Sequence, residues 1–200
     1  MSHRLPVLLA LALAASGCYS QQVLFTAPLK DGPDASFSPT ARGAVCRHAA
    51  RTEGYWHLQD EPDIVGWQAY GNLDKAHGTL SLWLRPTWDV KDPRGGIIFC
   101  DDKTFSAKAD NAFRLWKWDN RCLRFDLRSK DDRYINVPFD KCPVGQWHHL
   151  ALTWDEAVGT RFYLDGKLVG QVDYPYTPYP AQWFYLGGPG GQLGPAEGDY

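Results

Sequence analysis

The chain has 200 residues, a length suited to one β-rich domain with a sizeable core. Its 21 basic and 23 acidic side chains are spread along the sequence and give a net charge of −2, so no basic stripe indicates a nucleic-acid partner. Aromatic residues make up 14% of the chain, with nine Trp and a single Met, which favours sheets or sugar-contacting surfaces over helical bundles.

Residues 1–18 have the pattern of an export signal, with a short polar start, an apolar run over residues 5–15 and small residues before Cys18. The run is too short to span a bilayer. Residues 15–18 resemble the lipobox of bacterial lipoproteins, in which the cysteine is lipidated, although Ala15 stands where Leu is usual. We therefore expect an exported cell-envelope lipoprotein, anchored to the membrane through Cys18. Ordinary signal cleavage near the same place is the alternative.

The remaining cysteines are an even set in an exported chain, where disulfides are permitted. Cys100 ends one predicted strand and Cys122 begins a later one, which places them at opposite ends of a sheet. We therefore expect Cys122 to pair with Cys142 and Cys46 with Cys100. None of these cysteines has the C-x-x-C spacing of a zinc site.

Alternating apolar residues and turn formers predict a series of short strands. They lie at residues 23–26, 66–70, 78–86, 96–100, 113–118, 122–127, 134–137, 147–154, 161–164, 167–170 and 183–186. In residues 78–86, Leu80, Leu82 and Leu84 fall on one face and Thr79, Ser81 and Trp83 on the other. Asp165-Gly166 predicts a two-residue type I′ turn that makes Leu164 and Lys167 neighbours across the strands. Most of residues 23–63 reads as loop.

The hairpin of residues 113–127 has two registers. A two-residue loop places Trp116 and Trp118 on the face of Leu123 and Phe125, and a three-residue loop reverses this. We favour the first register, which makes both tryptophans core residues.

Residues 174–183 are rich in aromatic residues and proline, and read as a stiff surface loop. Its rings suit a ligand with apolar faces, such as a sugar. The predicted ligand-binding residues are Tyr174, Tyr176, Tyr179 and Trp183. Packing of these rings against the sheet is the alternative interpretation.

Four motifs occur in order along the chain: GTLSLWLRP at 78–86, GQWHHLALTW at 145–154, FYLDGK at 162–167 and YLGG at 185–188. Together they resemble the successive strands of a laminin G-type (LamG) domain of the concanavalin A-like lectin/glucanase superfamily. The resemblance implies an all-β antiparallel sandwich, a jelly roll, over residues 19–200. That fold carries lectins, adhesion modules and hydrolases, so it does not decide the function.

In such domains another strand usually follows the Gly-rich turn at residues 187–194. We expect this chain to lack it, either because it is a truncated gene product or because it is the front of a longer protein with further domains beyond Tyr200. The family's frequent calcium site uses the same segment, which leaves Asp31 and Asp34 as ligand candidates. Aspartates in a loop are also ordinary turn formers.

Catalysis on glycans needs two carboxylates across the scissile bond. Related glucanases carry them as Glu-x-Asp-x-Glu on one strand, and the four glutamates of this chain do not form that pattern. Asp101-Asp102 and Asp131-Asp132 read as solvated loop residues, and the adjacent His148 and His149 point to opposite faces. We therefore expect a non-catalytic recognition module for a glycan or a protein surface. The first alternative is a structural envelope domain without a small ligand, and the second is a glycan-active hydrolase.

Overall fold

The computed structural model describes residues 45–47, 50–52, 55–57, 64–101, 113–127, 133–177 and 180–187. These residues form thirteen strands and one 3₁₀ turn, Phe139–Lys141. The strands are β1 (Val45–Arg47), β2 (Ala50–Thr52), β3 (Tyr55–His57), β4 (Ile64–Gln68), β5 (His77–Leu84), β6 (Gly96–Cys100), β7 (Phe113–Trp118), β8 (Cys122–Leu127), β9 (Arg133–Pro138), β10 (His148–Asp155), β11 (Gly159–Leu164), β12 (Lys167–Val172) and β13 (Trp183–Gly187). Within the described ranges, the chain forms no helix with the length and apolar character needed to cross a bilayer.

Two antiparallel sheets form a sandwich, which confirms the all-β class. One has seven strands in the order β1-β4-β13-β6-β7-β8-β9, and the other has four in the order β12-β11-β10-β5. A separate two-stranded sheet pairs β2 with β3. These two short strands lie in the segment that the sequence predicted to be mostly loop.

The core lies between the two sheets and draws on alternate residues of both. From the four-stranded sheet it takes Leu150, Leu152 and Phe162, and from the seven-stranded sheet Leu115 and Phe125, all at most 1% exposed. The leucines of β5 pack against this core, as the sequence predicted. At about 25 cal/mol per Å² of apolar surface, each fully buried ring or leucine stabilises the fold by roughly 1.5–3 kcal/mol. The alternation along the strands therefore decides which residues remain for the outer faces.

The turn at Asp165-Gly166 has the predicted form. Asp165 has φ of 50° and Gly166 φ of 76°, and Leu164 pairs with Lys167. Both angles lie in the left-handed region that a type I′ turn requires. The meander of β10, β11 and β12 is thus fixed by a local signal in the chain.

The favoured register of the β7–β8 hairpin is wrong. Trp118 pairs with Cys122 across a three-residue loop, and Lys117 pairs with Leu123. Leu115, Leu123 and Phe125 therefore share the inner face, and the two tryptophans point to the outer face of the seven-stranded sheet. Asp119, at φ of 50°, takes the left-handed conformation that a short polar side chain tolerates.

The predicted disulfides are also wrong for the described cysteines. Cys122 and Cys142 are buried free thiols. Leu123 on β8 faces the core, so Cys122 points to the outer face, whereas Cys142 belongs to the inter-sheet core. Burial raises the pKa of the Cys142 thiol to about 11, with a further contribution from the nearby Asp165 carboxylate.

The second pairing, Cys46 with Cys100, is excluded by strand order. β1 and β6 are separated by β4 and β13 in the seven-stranded sheet. Three steps at about 4.8 Å place the two backbones roughly 14 Å apart. A disulfide tolerates only about 7 Å between Cα atoms.

Candidate functional site

The outer face of the four-stranded sheet carries an exposed tryptophan. Trp83 on β5 is 65% exposed, although a ring of this size is usually mostly covered. Strand β5 alternates strictly between exposed and half-buried residues, so Thr79 and Ser81 point outward with Trp83. The sequence assigned these three residues to one face but did not identify the face as a site. The feature of the sequence that could have identified this face is the large aromatic ring of Trp83, which lies on the side of the strand opposite the leucines.

The neighbours of Trp83 are polar and held in place. His149 on β10 is its partner across the strands, with ring centroids 5.3 Å apart and an interplanar angle of 52°. Nε2 of His149 lies 2.8 Å from Oγ of Ser81, so the imidazole and the hydroxyl form one hydrogen bond. An indole face thus stands beside two groups that can exchange hydrogen bonds with a ligand.

The Asp165 turn fixes the backbone of His149. The Asp165 N–H donates to the carbonyl oxygen of His149 (2.8 Å), and the His149 N–H donates to Oδ1 of Asp165 (2.9 Å). Oδ2 of Asp165 lies 2.8 Å from Nδ1 of the buried His148. Burial raises the pKa of Asp165, but hydrogen bonds from His148 and His149 outweigh this and hold it below its usual value. His148 and His149 point to opposite faces, as predicted.

The rest of this outer face comes from β10, β11 and β12. Ala151 pairs with Ser81 on one side and Tyr163 on the other, and Thr153 pairs with Thr79 and Arg161. A register shift after Phe162 brings Leu168 opposite Tyr163. A bulge of this kind re-aims side chains at a strand, and Leu168 is accordingly 49% exposed. We give the name Trp83 face to ten outward residues of these four strands: Thr79, Ser81, Trp83, His149, Ala151, Thr153, Arg161, Tyr163, Leu168 and Gln171.

Charges at the far side of the Trp83 face are paired. Nη2 of Arg161 lies 3.0 Å from Oδ1 of Asp173, and Nε2 of Gln171 donates to Oδ2 of the same carboxylate at 2.6 Å. The residues in contact with Trp83 on this face are polar, as the Ser81–His149 hydrogen bond shows, so stacking and hydrogen bonding are the interactions that they can offer a ligand.

The four predicted ligand-binding residues do not form one site among the described residues. The hydroxyl of Tyr176 donates to the carbonyl oxygen of Lys75 (2.7 Å), and its ring packs edge-on against Phe113 with centroids 5.9 Å apart. Burial raises the pKa of the Tyr176 hydroxyl. Tyr174 is half-buried, with the guanidinium of Arg133 4.0 Å from its ring centroid. Tyr179 lies outside the described residues.

Trp183 belongs to the seven-stranded sheet. It is 9% exposed, and its ring stacks with Tyr185 at a centroid distance of 6.4 Å. Both pack with Ile64 and Ile97 in a second buried cluster, apart from the inter-sheet core. Trp183 thus lies on the outer side of the opposite sheet from Trp83.

The outer side of β7 and β8 holds a stack of cations and rings. The guanidinium of Arg124 lies 4.4 Å from the Trp118 ring centroid and 3.8 Å from that of Tyr134. Arg121 stacks on the same indole at 4.5 Å. The buried Asp126 carboxylate accepts hydrogen bonds from Arg114, Arg124 and Trp116. These contacts satisfy the charges within the sheet, which explains how the tryptophans are accommodated outside the core.

The acidic residues considered for catalysis or metal binding have separate surroundings. Asp101 is buried and ion-paired to Lys75 at 2.7 Å, so its assignment as a solvated loop residue is wrong. Glu156 is exposed in the turn between β10 and β11. In the described part of the chain, no three His, Cys, Asp or Glu side chains come together as a metal site. Asp31, Asp34 and Cys18 lie outside the described residues, so their roles stay predictions.

Solved structures with the same architecture come from botulinum neurotoxins. The receptor-binding domain of botulinum neurotoxin D aligns with a TM-score of 0.66 and 12% identity, over 86% of this chain and 45% of that one. The binding domain of neurotoxin DC, in complex with rat synaptotagmin II, aligns with a TM-score of 0.62 and 15% identity, over 84% and 44%. A structure of neurotoxin type C, whose cell entry is described as dependent on interaction with two ganglioside molecules, aligns with a TM-score of 0.64 and 14% identity. The alignment covers 87% of this chain and 44% of that one.

The chain thus spans less than half the length of these binding domains, and the low identities show a shared fold alone. No curated protein matches the chain. A family model of the laminin G type, described as the concanavalin A-like lectin/glucanases superfamily, matches residues 63–199, well over half of the sequence. The strand order and the two packed sheets of the structure are consistent with this match. The chain therefore belongs to the concanavalin A-like lectin/glucanase superfamily, in its laminin G group.

Proposed function

We propose that the protein is a non-catalytic recognition module that binds carbohydrate through the Trp83 face. The observation that carries the proposal is the 65% exposed indole of Trp83 beside the hydrogen-bonded pair Ser81 and His149. A pyranose ring has an apolar side formed by C–H groups and a rim of hydroxyls. The indole stacks on the first and the polar pair bonds to the second.

The comparisons are consistent with this class of function. The neurotoxin domains that share the fold include one in complex with sialylT, one in complex with a synaptotagmin and one whose toxin interacts with gangliosides. Those partners belong to those proteins. For this chain they support recognition of a glycan or a protein as the type of activity, with the Trp83 face as the site.

The other parts of the proposal rest on the sequence. The absence of a Glu-x-Asp-x-Glu pattern favours binding without catalysis. The signal pattern of residues 1–18 favours a location outside the cytoplasm, with a lipid anchor at Cys18. A display module held at the membrane would present the Trp83 face to glycans of the cell envelope or of its surroundings.

A structural role is the second candidate. Trp83 and Leu168 are exposed apolar side chains on one sheet face, 65% and 49% accessible, and such residues also mark contacts between protein surfaces. In that case the Trp83 face would pack against another domain or another copy of this chain.

A glycan array decides between the two candidates. The wild-type chain should bind a subset of glycans, and Trp83→Ala should bind the same glycans much more weakly. Tyr70→Ala is the matched control, because Tyr70 is an 82% exposed aromatic residue in the turn after β4, away from the Trp83 face. A wild-type chain that binds no glycan but self-associates in sedimentation would contradict carbohydrate binding and support the structural role.

A further inference from the structure

Strand β5 is an outermost strand of the four-stranded sheet, and within the described ranges it pairs with β10 alone. In antiparallel pairing, residues that bond to the partner strand alternate with residues whose N–H and C=O point away from it. One step beyond the last pair of the two strands, the Glu156 N–H donates to the carbonyl oxygen of Ala76 at 2.6 Å. The even-numbered residues of β5 therefore bond to β10.

The pairing on the other side of β10 gives the same assignment. The Asp165 N–H donates to the carbonyl oxygen of His149, so the odd-numbered residues of β10 bond to β11 and its even-numbered residues to β5. The N–H and C=O groups of Thr79, Ser81 and Trp83 consequently point away from β10. They form a row of donors and acceptors that repeats about every 6.8 Å along the strand. We call this row the open edge of β5.

The other outermost strands have features that discourage pairing with a further strand, and β5 lacks them. Short length, bulges, charged residues and proline are the usual protections of an edge. Strand β1 has three residues, β12 has a register shift against β11, and β9 begins with Arg133 and ends at Pro138. Strand β5 has eight residues in unbroken register with β10, and His77–Leu84 contains no Lys, Arg, Asp, Glu or Pro.

The inward side chains beside the open edge are incompletely covered. Leu80, Leu82 and Leu84 pack against the core but are only half-buried, whereas Leu150 and Leu152 on the neighbouring β10 are 1% exposed. Another strand beside β5 would cover the free side of these leucines if its own inward residues were apolar. The open edge thus favours a strand with apolar residues at every second position.

The seven-stranded sheet extends past β5. Gly170 on β12 approaches Ile135 on β9, and the rings of Phe113 on β7 and Trp154 on β10 have centroids 5.2 Å apart. Strand order then places β6 opposite β5, so β13, β4 and β1 extend about 14 Å beyond it. A second copy pairing its β5 side by side would bring its own extending strands into the same space. A single extended segment needs the width of one strand only.

We propose that the open edge of β5 accepts an extended segment of a partner polypeptide as an additional strand of the four-stranded sheet. The backbone of that segment bonds to the N–H and C=O groups of Thr79, Ser81 and Trp83, and its apolar residues lie inward beside the leucines of β5. The contact uses the backbone of β5, whereas the proposed glycan site uses the Trp83 side chain, so the two proposals are tested independently.

Amide hydrogen exchange in the free chain is the first arm of the test. The amides of Thr79, Ser81 and Trp83 should exchange about 100-fold faster than those of Leu80 and Leu82, because only the latter are bonded to β10. Equal protection of the two sets would show that the edge is already occupied in the free chain, and would overturn the proposal.

A phage-displayed library of random linear nonapeptides is the probe for the second arm. Selection on the folded protein should enrich peptides with apolar residues at alternate positions, and the synthetic peptides should slow exchange of the three open amides roughly tenfold. N-methylation at one set of alternate peptide residues should abolish binding, and at the other set should leave Kd within about threefold. Equal effects of the two sets, binders that leave the exchange unchanged, or a library without binders would overturn the proposal.

A pair of variants at the edge is the third arm. Thr79→Pro removes one outward N–H, and the preceding Gly78 has no Cβ to clash with the proline ring. It should weaken peptide binding by roughly tenfold, whereas Thr79→Val keeps the N–H and should bind within about threefold of the wild type. Wild-type affinity in Thr79→Pro would contradict the proposal, and the N-methylated peptides decide if that variant folds poorly. A dimer of the free chain that Thr79→Pro abolishes would assign the edge to a second copy and exclude the partner segment.

Discussion

Replacing Trp83 by alanine removes the largest exposed ring of the Trp83 face and leaves the core between the sheets intact. The side chain is 65% exposed. Since a tryptophan offers about 200 Å² for burial, roughly 130 Å² of Trp83 is open to a ligand. A sugar stacked on one side of the indole covers about half of that, so at about 25 cal/mol per Å² the variant loses roughly 1.6 kcal/mol of binding free energy. Because about 1.4 kcal/mol corresponds to a factor of ten in Kd, binding should weaken roughly 15-fold.

The assay is titration calorimetry of Trp83→Ala with the glycan that binds best on the array, beside the wild type and Tyr70→Ala. Folding should be almost unchanged, because the lost pair with His149 contributes only about 0.2–1 kcal/mol across the strands. A loss of that size lowers Tm by about 4 °C at most. Binding by Trp83→Ala within twofold of the wild type would refute the assignment of the face. An equal loss in Tyr70→Ala would show that the effect is not specific to Trp83.

Three further predictions concern the fold that carries the face. Asp165→Asn should have a lower Tm than the wild type near pH 6. The difference in Tm should disappear as the pH falls below about 4, because a carboxylate with a lowered pKa stabilises the fold only while it is ionised. A difference that stays constant from pH 6 to pH 2.5 would contradict this. Gly159→Ala, at φ of 121° with the new Cβ 2.0 Å from the Val172 oxygen, should cost at least about 3 kcal/mol and lower Tm by at least roughly 6 °C. Gly96→Ala is the control, because its new Cβ meets nothing within 4 Å, and its Tm should stay within about 2 °C of the wild type. Equal changes in Tm for the two variants in thermal denaturation would contradict the prediction. Cys122 and Cys142 should react with a thiol reagent slowly when folded and fully when unfolded, and a peptide linking them in a non-reduced digest would contradict their assignment as free thiols.

Local signals predicted the strands and the Asp165-Gly166 turn. Strands β6, β7 and β8 have the predicted bounds, because continuous β-forming runs end there at turn formers. The hairpin register was not predictable in the same way. Asp119-Asn120-Arg121 suits two loop lengths, and one residue of difference exchanges the two faces of a strand. Because the loop has three residues and not two, Trp116 and Trp118 lie on the outer side of the sheet and not in the predicted core.

Contacts between distant parts of the chain explain the other differences. Cys46 and Cys100 end up three strand steps apart because β4 and β13 come between them, and sequence spacing does not reveal that order. Tyr176 reads as a ligand-binding ring but donates its hydroxyl to Lys75, a residue 101 positions earlier. Trp83 was correctly placed opposite the leucines of β5. Its exposure depends on what covers the sheet, which only the folded chain shows.

The most direct test of carbohydrate binding at the Trp83 face is to map where a glycan contacts the protein. In an NMR titration of ¹⁵N-labelled protein with the oligosaccharide that binds best, the Trp83 indole N–H and the amides of Ala151 and Tyr163 should shift together and saturate at one Kd. The amides of Tyr134 and Asn136, on the outward side of the other sheet, should not move. Shifts confined to the loop from Tyr174 to Trp183, or to the outer side of the seven-stranded sheet, would contradict the assignment.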